Sequence, residues 1–268
     1  MSRVVLIAGA SSGIGRATAA AAVRRGHVVF GTSRDPSRVD IDGVRAVQLE
    51  VTDDASVDAC VAEVLASAGR IDAVLYSAGA YLAGAAEETT SGLAHAQFEA
   101  YLFGAHRLAR AALPTMRAQR SGRLIFMSSS AAVAAIPFHA LYSASKAALE
   151  RYADGLRYEL APFGIQVACV QGTGVRTGAA AACRLPDVRI EAYRAASTPV
   201  IERFRATQQA GPEPEPFAAT IVRAIEARSM RGTYRVGGLA RFLPTMHAML
   251  PDQAFRAVYA RFFELPSA

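Results

Sequence analysis

The segment Val4–Gly15 constrains the fold of this chain more than any other part of its sequence. It reads VVLIAGASSGIG, an apolar run followed at once by Gly9, Gly13 and Gly15. The apolar run predicts a buried strand, and the amphipathic stretch Ile14–Arg25 predicts the helix after it. Closely spaced glycines let the backbone turn tightly and approach a ligand, and a helix N-terminus attracts a pyrophosphate. This order of strand, turn and helix predicts a dinucleotide-binding unit.

Short apolar runs alternate with helical stretches over about the first 175 residues. Alternation of this kind predicts βαβ units and a parallel sheet, and the continuous apolar character of the runs indicates that both faces are covered. The predicted strands are Val4–Ile7, Val28–Thr32, Ala46–Val51, Ala73–Tyr76, Arg123–Met127 and Gln166–Val170. Helices are predicted between most of them, for example over Ala55–Ala68. We therefore expect an α/β fold, a Rossmann-type doubly wound parallel sheet, as a single domain over residues 1–268.

The pattern changes after Thr177. Residues 178–215 have weak periodicity, with many Ala and Arg residues at their start, and we expect them to form a lid or loop over a substrate. Pro216 is well placed to open a helix over Phe217–Ala227, and Thr233–Val236 predicts a last strand.

The C-terminal segment 239–268 is rich in large apolar residues. It is predicted to be a helical extension that covers the core or contributes to a dimer face. Contact with a membrane surface is the alternative interpretation.

Charge and cysteine content exclude several functions. The net charge of +6 favours an anionic partner, but the arginines are scattered and no nucleic-acid-binding motif is present, so we expect no nucleic acid. No apolar run approaches the roughly 20 residues that span a bilayer, and no signal-peptide pattern is present. The three cysteines lack metal-ligand spacing, which predicts no metal site and a cytoplasmic location. The histidines His95, His106 and His139 also lack such spacing and are interpreted as ordinary structural or surface residues.

The second predicted strand runs into Gly31-Thr-Ser-Arg34. A site for NAD places an acidic residue at this strand end, on the ribose 2′-hydroxyl. Here Ser33 and Arg34 follow instead, and a guanidinium can fork onto a 2′-phosphate. The sequence therefore predicts NADP(H), and a solvated arginine is the alternative.

Lys146 is the only lysine among 29 basic residues. An ammonium can shift its pKa and transfer a proton, whereas a guanidinium effectively cannot. Tyr142 lies four residues earlier, on the same face of a predicted helix, and a nearby cation lowers the pKa of a phenol. The pair predicts acid–base chemistry on a carbonyl or alcohol, and a serine from the run Ser128–Ser130 could orient the same oxygen.

Taken together, these residues resemble the short-chain dehydrogenase/reductase family over nearly the whole chain. The stretches 137–149 and 159–165 resemble most the branch of 17β-hydroxysteroid and retinol dehydrogenases. The resemblance implies hydride transfer between NADP(H) and a hydrophobic ketone, aldehyde or secondary alcohol. Tyr142 resembles the catalytic acid–base, Lys146 resembles the lysine that holds the nicotinamide ribose, and Ser129, thirteen positions before Tyr142, resembles the family serine.

The same resemblance implies the cofactor contacts. Besides Tyr142 and Lys146, they are Gly9, Ser11, Ser12, Gly13, Ile14, Gly15, Ser33, Arg34, Glu50, Val51, Ser77, Ala78, Gly79, Val175 and Thr177. It also implies a homodimer or homotetramer that uses the helices around Leu93–Gln119 and Ala140–Ala161.

The sequence departs from the family at Tyr101, which stands where the family carries a catalytic Asn. A tyrosine there could keep a hydroxyl in the proton relay, or it could fill the site of a relay water. Two alternative functions follow from this departure. One is a repurposed enzyme that catalyses a non-redox cyclisation or isomerisation with the cofactor as a scaffold, and the other is a non-catalytic cofactor-binding protein.

Overall fold

A single parallel sheet organises the protein. The computed structural model describes residues 1–179 and 181–265, and its seven strands lie in the order β3-β2-β1-β4-β5-β6-β7. The strands are β1 (Val4–Ala8), β2 (Val28–Ser33), β3 (Val44–Gln48), β4 (Ala73–Tyr76), β5 (Gly122–Met127), β6 (Ile165–Gly172) and β7 (Thr233–Val236). All six pairings are parallel. The predicted Rossmann-type fold is confirmed, with its change of winding direction between β1 and β4.

Helices cover both faces of the sheet. They are α1 (Gly13–Arg24), α2 (Asp54–Ala68), α3 (Ser91–Phe98), α4 (Gly104–Gln119), α5 (Ala140–Leu160), α6 (Glu191–Gln209), α7 (Glu215–Glu226), α8 (Gly238–Met249) and α9 (Asp252–Phe262). Alternate side chains of β1 point to opposite faces, so Leu6 packs towards α2, α4 and α5, while Val5 and Ile7 pack towards α1 and α7. All three side chains are fully buried, and each such burial contributes about 1.5–3 kcal/mol.

Two elements differ from the sequence prediction. Strand β3 begins at Val44 rather than at Ala46 and ends at Gln48, because its register pairs Val44 with Val29 and Gln48 with Ser33. The weakly periodic segment 178–215 contains the 19-residue helix α6. This helix is ordered by burial of Val200 and Ile201 in the tertiary structure, which local periodicity did not reveal.

The C-terminal extension consists of α8 and α9. Leu243 and Phe255 pack against Ala134, in the loop that follows β5, and the Tyr259 hydroxyl donates to the Ala134 carbonyl at 3.4 Å. The extension thus lies over the carboxyl edge of the sheet. Among the described residues, none of the helices has both the length and the apolar character needed to cross a membrane.

Candidate active site

A cavity of about 1340 Å³ opens at the carboxyl ends of the central strands. This is the edge where doubly wound sheets bind their ligands, next to the change in winding direction. The predicted site residues that line it are Gly9, Ser11, Ser12, Gly13, Ile14, Ser33, Arg34, Glu50, Val51, Ser77, Ala78, Gly79, Lys146 and Thr177. The described lining does not include Gly15, Ser129, Tyr142 or Val175. Most of the predicted cofactor contacts therefore share one cavity.

The glycine turn is built by close packing. A Cβ atom on Gly15 would lie 2.0 Å from the Gly9 carbonyl oxygen, so Gly15 is needed for the contact between α1 and the turn. Ser12, which precedes α1, has extended backbone and makes no side-chain cap within the described chain. The N–H groups of the first turn of α1 therefore remain available to an anion in the cavity.

A second basic residue lies beside Arg34. Arg38, on the short 3₁₀ segment Pro36–Arg38, lines the same cavity. The nearby acid Asp35 accepts hydrogen bonds from the Ser37 N–H at 3.1 Å and the Ser37 hydroxyl at 2.7 Å, and these bonds lower the pKa of its carboxyl. Asp35 is thus engaged in capping this turn. Sequence reasoning missed Arg38, although its position four residues after Arg34 was a usable signal.

The three serines after β5 have different partners. Ser128 donates to Glu150 Oε1 at 2.5 Å, and Ser130 accepts from the Thr173 hydroxyl at 2.8 Å. Ser129 accepts from the Ala131 N–H at 3.1 Å, and its hydroxyl is near enough to Tyr142 to lower the pKa of that phenol. The fold therefore places Ser129 near Tyr142, and the catalytic role that the family resemblance implies for it stays a prediction.

Lys146 is held between a strand end and an aromatic ring. Its Nζ donates to the Met127 carbonyl at 2.8 Å and lies 3.8 Å from the centroid of the Tyr101 ring. Burial lowers the pKa of Lys146 to about 7, and the nearby Cys169 and Glu150 oppose this effect. The amine can therefore gain or lose a proton near neutral pH.

The direction of the Tyr142 pKa differs from the one expected from the sequence. Burial raises this pKa, and the nearby Ser129 hydroxyl opposes the rise. The Lys146 ammonium lies 6.0 Å from the Tyr142 ring centroid, farther than from the Tyr101 ring. Desolvation favours the neutral phenol, so in this arrangement Tyr142 is a proton donor.

Helix α6 and the end of α9 contribute apolar residues to the cluster that buries Tyr142. Val200 and Ile201 of α6 and Phe263, just after α9, belong to the same apolar cluster as Tyr142. This packing explains why Tyr142 is buried behind the cavity lining. Sequence reasoning expected residues 178–215 to cover a substrate and the C-terminal extension to cover the core; it did not indicate that the extension reaches the cluster around Tyr142.

Tyr101 lies on a π-helical turn, Glu99–Phe103, between α3 and α4. Its ring packs so closely on Gly79 that a Cβ atom there would lie 2.6 Å from it. Burial raises the pKa of Tyr101 well above its ordinary value, so the phenol stays protonated. The ring centroid lies 3.8 Å from Lys146 Nζ, and the choice between the two roles considered from the sequence stays a prediction.

The fold and the grouped serine, tyrosine and lysine define a Rossmann-type oxidoreductase. Residues 3–186 match the family model described as short chain dehydrogenase, and the chain belongs to that family. Its placement in the hydroxysteroid and retinol dehydrogenase branch stays a prediction.

Several known proteins are similar to this chain over most of its length. It is 33% identical over 265 residues to a 3-ketodihydrosphingosine reductase of Bacteroides thetaiotaomicron, covering 96% of this chain and 98% of that protein. It is 32% identical over 247 residues to the oxidoreductase calM of Penicillium decumbens, covering 86% and 81% of the two chains. A solved short-chain dehydrogenase from Streptomyces avermitilis superposes with a TM-score of 0.84 at 35% identity, covering 98% and 96%.

Proposed function

We propose that this protein catalyses NADP(H)-dependent hydride transfer between the nicotinamide and a hydrophobic ketone, aldehyde or secondary alcohol. The observation that carries the proposal is that Arg34, Arg38 and Lys146 line one cavity, with Ser129 and Tyr142 buried behind its lining. The end with Arg34 and Arg38 suits a phosphorylated dinucleotide. The end with Tyr142 suits proton transfer to a carbonyl oxygen.

The residues of the cavity fit such a cofactor. A Cβ atom on Gly9 would lie 3.0 Å from the Ala78 backbone. The glycine turn and the loop that follows β4 therefore approach each other closely at the cavity. The N-terminus of α1 would hold the pyrophosphate, Arg34 and Arg38 would hold a 2′-phosphate, and Lys146 and Thr177 would hold the nicotinamide half. When bound, the nicotinamide supplies or accepts the hydride.

The proton is handled by Tyr142. In the direction of reduction, its neutral phenol donates a proton to the carbonyl oxygen, and Ser129 hydrogen-bonds the same oxygen and orients it. The Lys146 ammonium stabilises the phenolate that remains. Helices α6 and α9 exclude water from this step, which requires that they open for the substrate to enter and leave.

The apolar surroundings of Tyr142 support a hydrophobic substrate. Val200, Ile201 and Phe263 belong to the apolar cluster that contains Tyr142. The bacterial relative of similar length is named for the reduction of 3-ketodihydrosphingosine, which supports a ketone as the group that reacts. We further propose a cytoplasmic location, because Cys60, Cys169 and Cys183 are all free thiols.

The test is cofactor consumption by the purified protein. NADPH and NADH oxidation would be followed with a panel of hydrophobic ketones and aldehydes that includes 3-ketodihydrosphingosine, beside the Tyr142→Phe variant. We expect NADPH consumption that falls about 10²–10⁴-fold in the variant, while NADPH binding, measured by fluorescence, is retained. Full activity of Tyr142→Phe on the same substrate would overturn the mechanism.

The same experiment identifies a non-redox function. The observation in its favour is that the Tyr101 ring occupies the space in front of Lys146. A product of unchanged oxidation state, formed without NADPH consumption, would replace the redox proposal with a cyclisation or isomerisation.

A further inference from the structure

A cluster of polar side chains beside Tyr142 takes no part in the mechanism above. It contains Tyr81, which is 3% exposed, His139, which is 1% exposed, and Arg205 of α6. The Tyr81 ring centroid lies 5.6 Å from that of Tyr142 and 5.8 Å from that of His139. The Phe204 ring centroid lies 5.3 Å from that of Tyr81 and 4.5 Å from that of His139. The cluster therefore lies next to the phenol that would protonate a substrate.

Each of the three side chains has a buried polar atom without a hydrogen-bond partner among the described residues. These atoms are Tyr81 Oη, His139 Nε2 and Arg205 Nε. Buried polar atoms in native proteins are nearly always paired. Three unpaired polar atoms in one cluster next to Tyr142 can be paired by polar groups of a bound substrate.

The histidine presents an acceptor. His139 Nδ1 lies 2.9 Å from the Pro137 carbonyl oxygen, and a carbonyl can only accept, so Nδ1 carries the proton. Burial lowers the pKa of His139 to about 4, which keeps the imidazole neutral at physiological pH. Nε2 is thus an unprotonated acceptor that requires a donor.

The charge beside this acceptor selects the kind of donor. On α6, Arg205 follows Phe204, whose ring centroid lies 4.5 Å from that of His139, and the positive charge of Arg205 adds to the effect of burial in lowering the pKa of His139. A second cation, such as a substrate ammonium, would be repelled there. A carboxylate has no proton to give to Nε2. A hydroxyl satisfies both demands, because it donates to His139 Nε2 while its oxygen accepts from Arg205 or Tyr81.

We propose that Tyr81, His139 and Arg205 form a subsite that binds a hydroxyl group of the substrate, a few bonds from the carbonyl that is reduced. This inference rests on the proposed function and narrows its substrate class to hydrophobic ketones with a neighbouring hydroxyl. It also replaces the interpretation of His139 as an ordinary structural residue. The subsite fixes the orientation of the ketone, because two polar groups of one substrate are held at two points.

The test compares a long-chain β-hydroxy ketone with the ketone of the same chain length that lacks the hydroxyl. Dissociation constants would be measured by calorimetry with the protein saturated with NADP⁺, a state in which no reduction can occur, and kcat/KM would be measured with NADPH. The variants are Tyr81→Phe, which removes only a hydroxyl, and His139→Asn, which keeps a donor near Pro137. Tyr193→Phe, which removes a hydroxyl from α6 that is bound to Glu87, is the matched control.

We expect the wild-type protein and Tyr193→Phe to bind the hydroxy ketone at least about tenfold more tightly, since sites built for a hydroxyl reject analogues without one. Both subsite variants should reduce this preference to less than about threefold, and the ratio of kcat/KM values should follow. Equal binding of the two ketones by the wild-type protein would overturn the subsite. A proportional loss of affinity for both ketones in the variants would also overturn it and would assign these residues to packing.

The two proposals fail in different ways. A binding preference without any NADPH consumption would overturn the redox function and leave the subsite standing. Consumption of NADPH with both ketones and no preference would overturn the subsite and leave the redox function standing.

Discussion

The Nζ atom of Lys146 lies 3.8 Å from the centroid of the Tyr101 ring. A cation over the face of an aromatic ring gains about 0.5–2 kcal/mol, which favours the protonated amine and opposes the desolvation that lowers its pKa. Tyr101 is therefore a positioning residue, since it acts on the reaction through Lys146.

We expect Tyr101→Leu to lower the pKa of Lys146 further, because the favourable interaction with the ring is lost. The loss of activity with rising pH should then begin about 0.5–1 pH unit lower than in the wild-type protein. The measurement is kcat/KM for NADPH-dependent reduction against pH. Tyr101→Phe keeps the ring and is the control, and a displaced profile for this variant would contradict the explanation.

Gly79 is constrained by the same ring. Its φ is +132°, and a Cβ atom would lie 2.6 Å from the Tyr101 ring. Gly79→Ala should destabilise the protein by about 1–3 kcal/mol, measured by urea unfolding. The penalty should be smaller in a Tyr101→Leu background, because the close contact is relieved. Additive effects of the two substitutions on the free energy of unfolding would show that the contact with the Tyr101 ring does not cause the loss of stability.

Arg34 and Arg38 should decide the choice of cofactor. Hydrogen bonds to charged groups contribute about 1.5–3 kcal/mol, so we expect Arg34→Ala to raise KM for NADPH about 10–100-fold and to leave KM for NADH nearly unchanged. Arg38→Ala should act in the same direction. The exposed Arg24, at the end of α1, supplies a control with the same change in net charge. Equal effects on the two cofactors would assign the arginines to general electrostatic attraction.

Burial of Lys146 should make the stability of the cofactor-free protein depend on pH. The unfolded lysine keeps its proton up to a pKa of 10.5, whereas the folded lysine releases it above about 7. The unfolded state then binds more protons, so stability should rise from pH 7 to pH 9 relative to Lys146→Met, by at most about 1.4 kcal/mol per pH unit. Urea unfolding of both proteins across this range measures the difference. Parallel curves would show that the folded amine stays protonated.

We propose that the protein forms a homodimer or homotetramer through the helices α4 and α5. Phe103 is 45% exposed at the start of this region, and Tyr158 on α5 is 84% exposed. Large exposed side chains of this kind are enriched at interfaces. Sedimentation should give a multiple of the 28.3 kDa chain mass, and Tyr158→Asp should shift the equilibrium towards the monomer. If this variant assembles as the wild-type protein does, the interface does not include Tyr158 and lies elsewhere, for example at the exposed Phe242 of α8.

Much of the fold and part of the candidate site could be predicted because their signals are local. The strand, glycine turn and helix that begin at Val4–Gly15 could be predicted because one short segment of the chain forms all three. The four-residue spacing of Tyr142 and Lys146 predicted that both would lie on one helix face, and both do lie on α5. The family spacing indicated Ser129, which the structure places near Tyr142, and its role stays a prediction.

The tertiary structure decided what surrounds these residues. Burial beneath α6 and α9 raises the pKa of Tyr142, and the Tyr101 ring takes the place beside Lys146, although both effects come from side chains distant in sequence. The clustering of Tyr81, His139 and Arg205 has the same origin. Desolvation depends on every atom packed around a group, and a chain encodes that packing only through its complete fold. The sequence alone therefore determined which groups could react, and the tertiary structure determined their environment and hence the protonation states in which they are held.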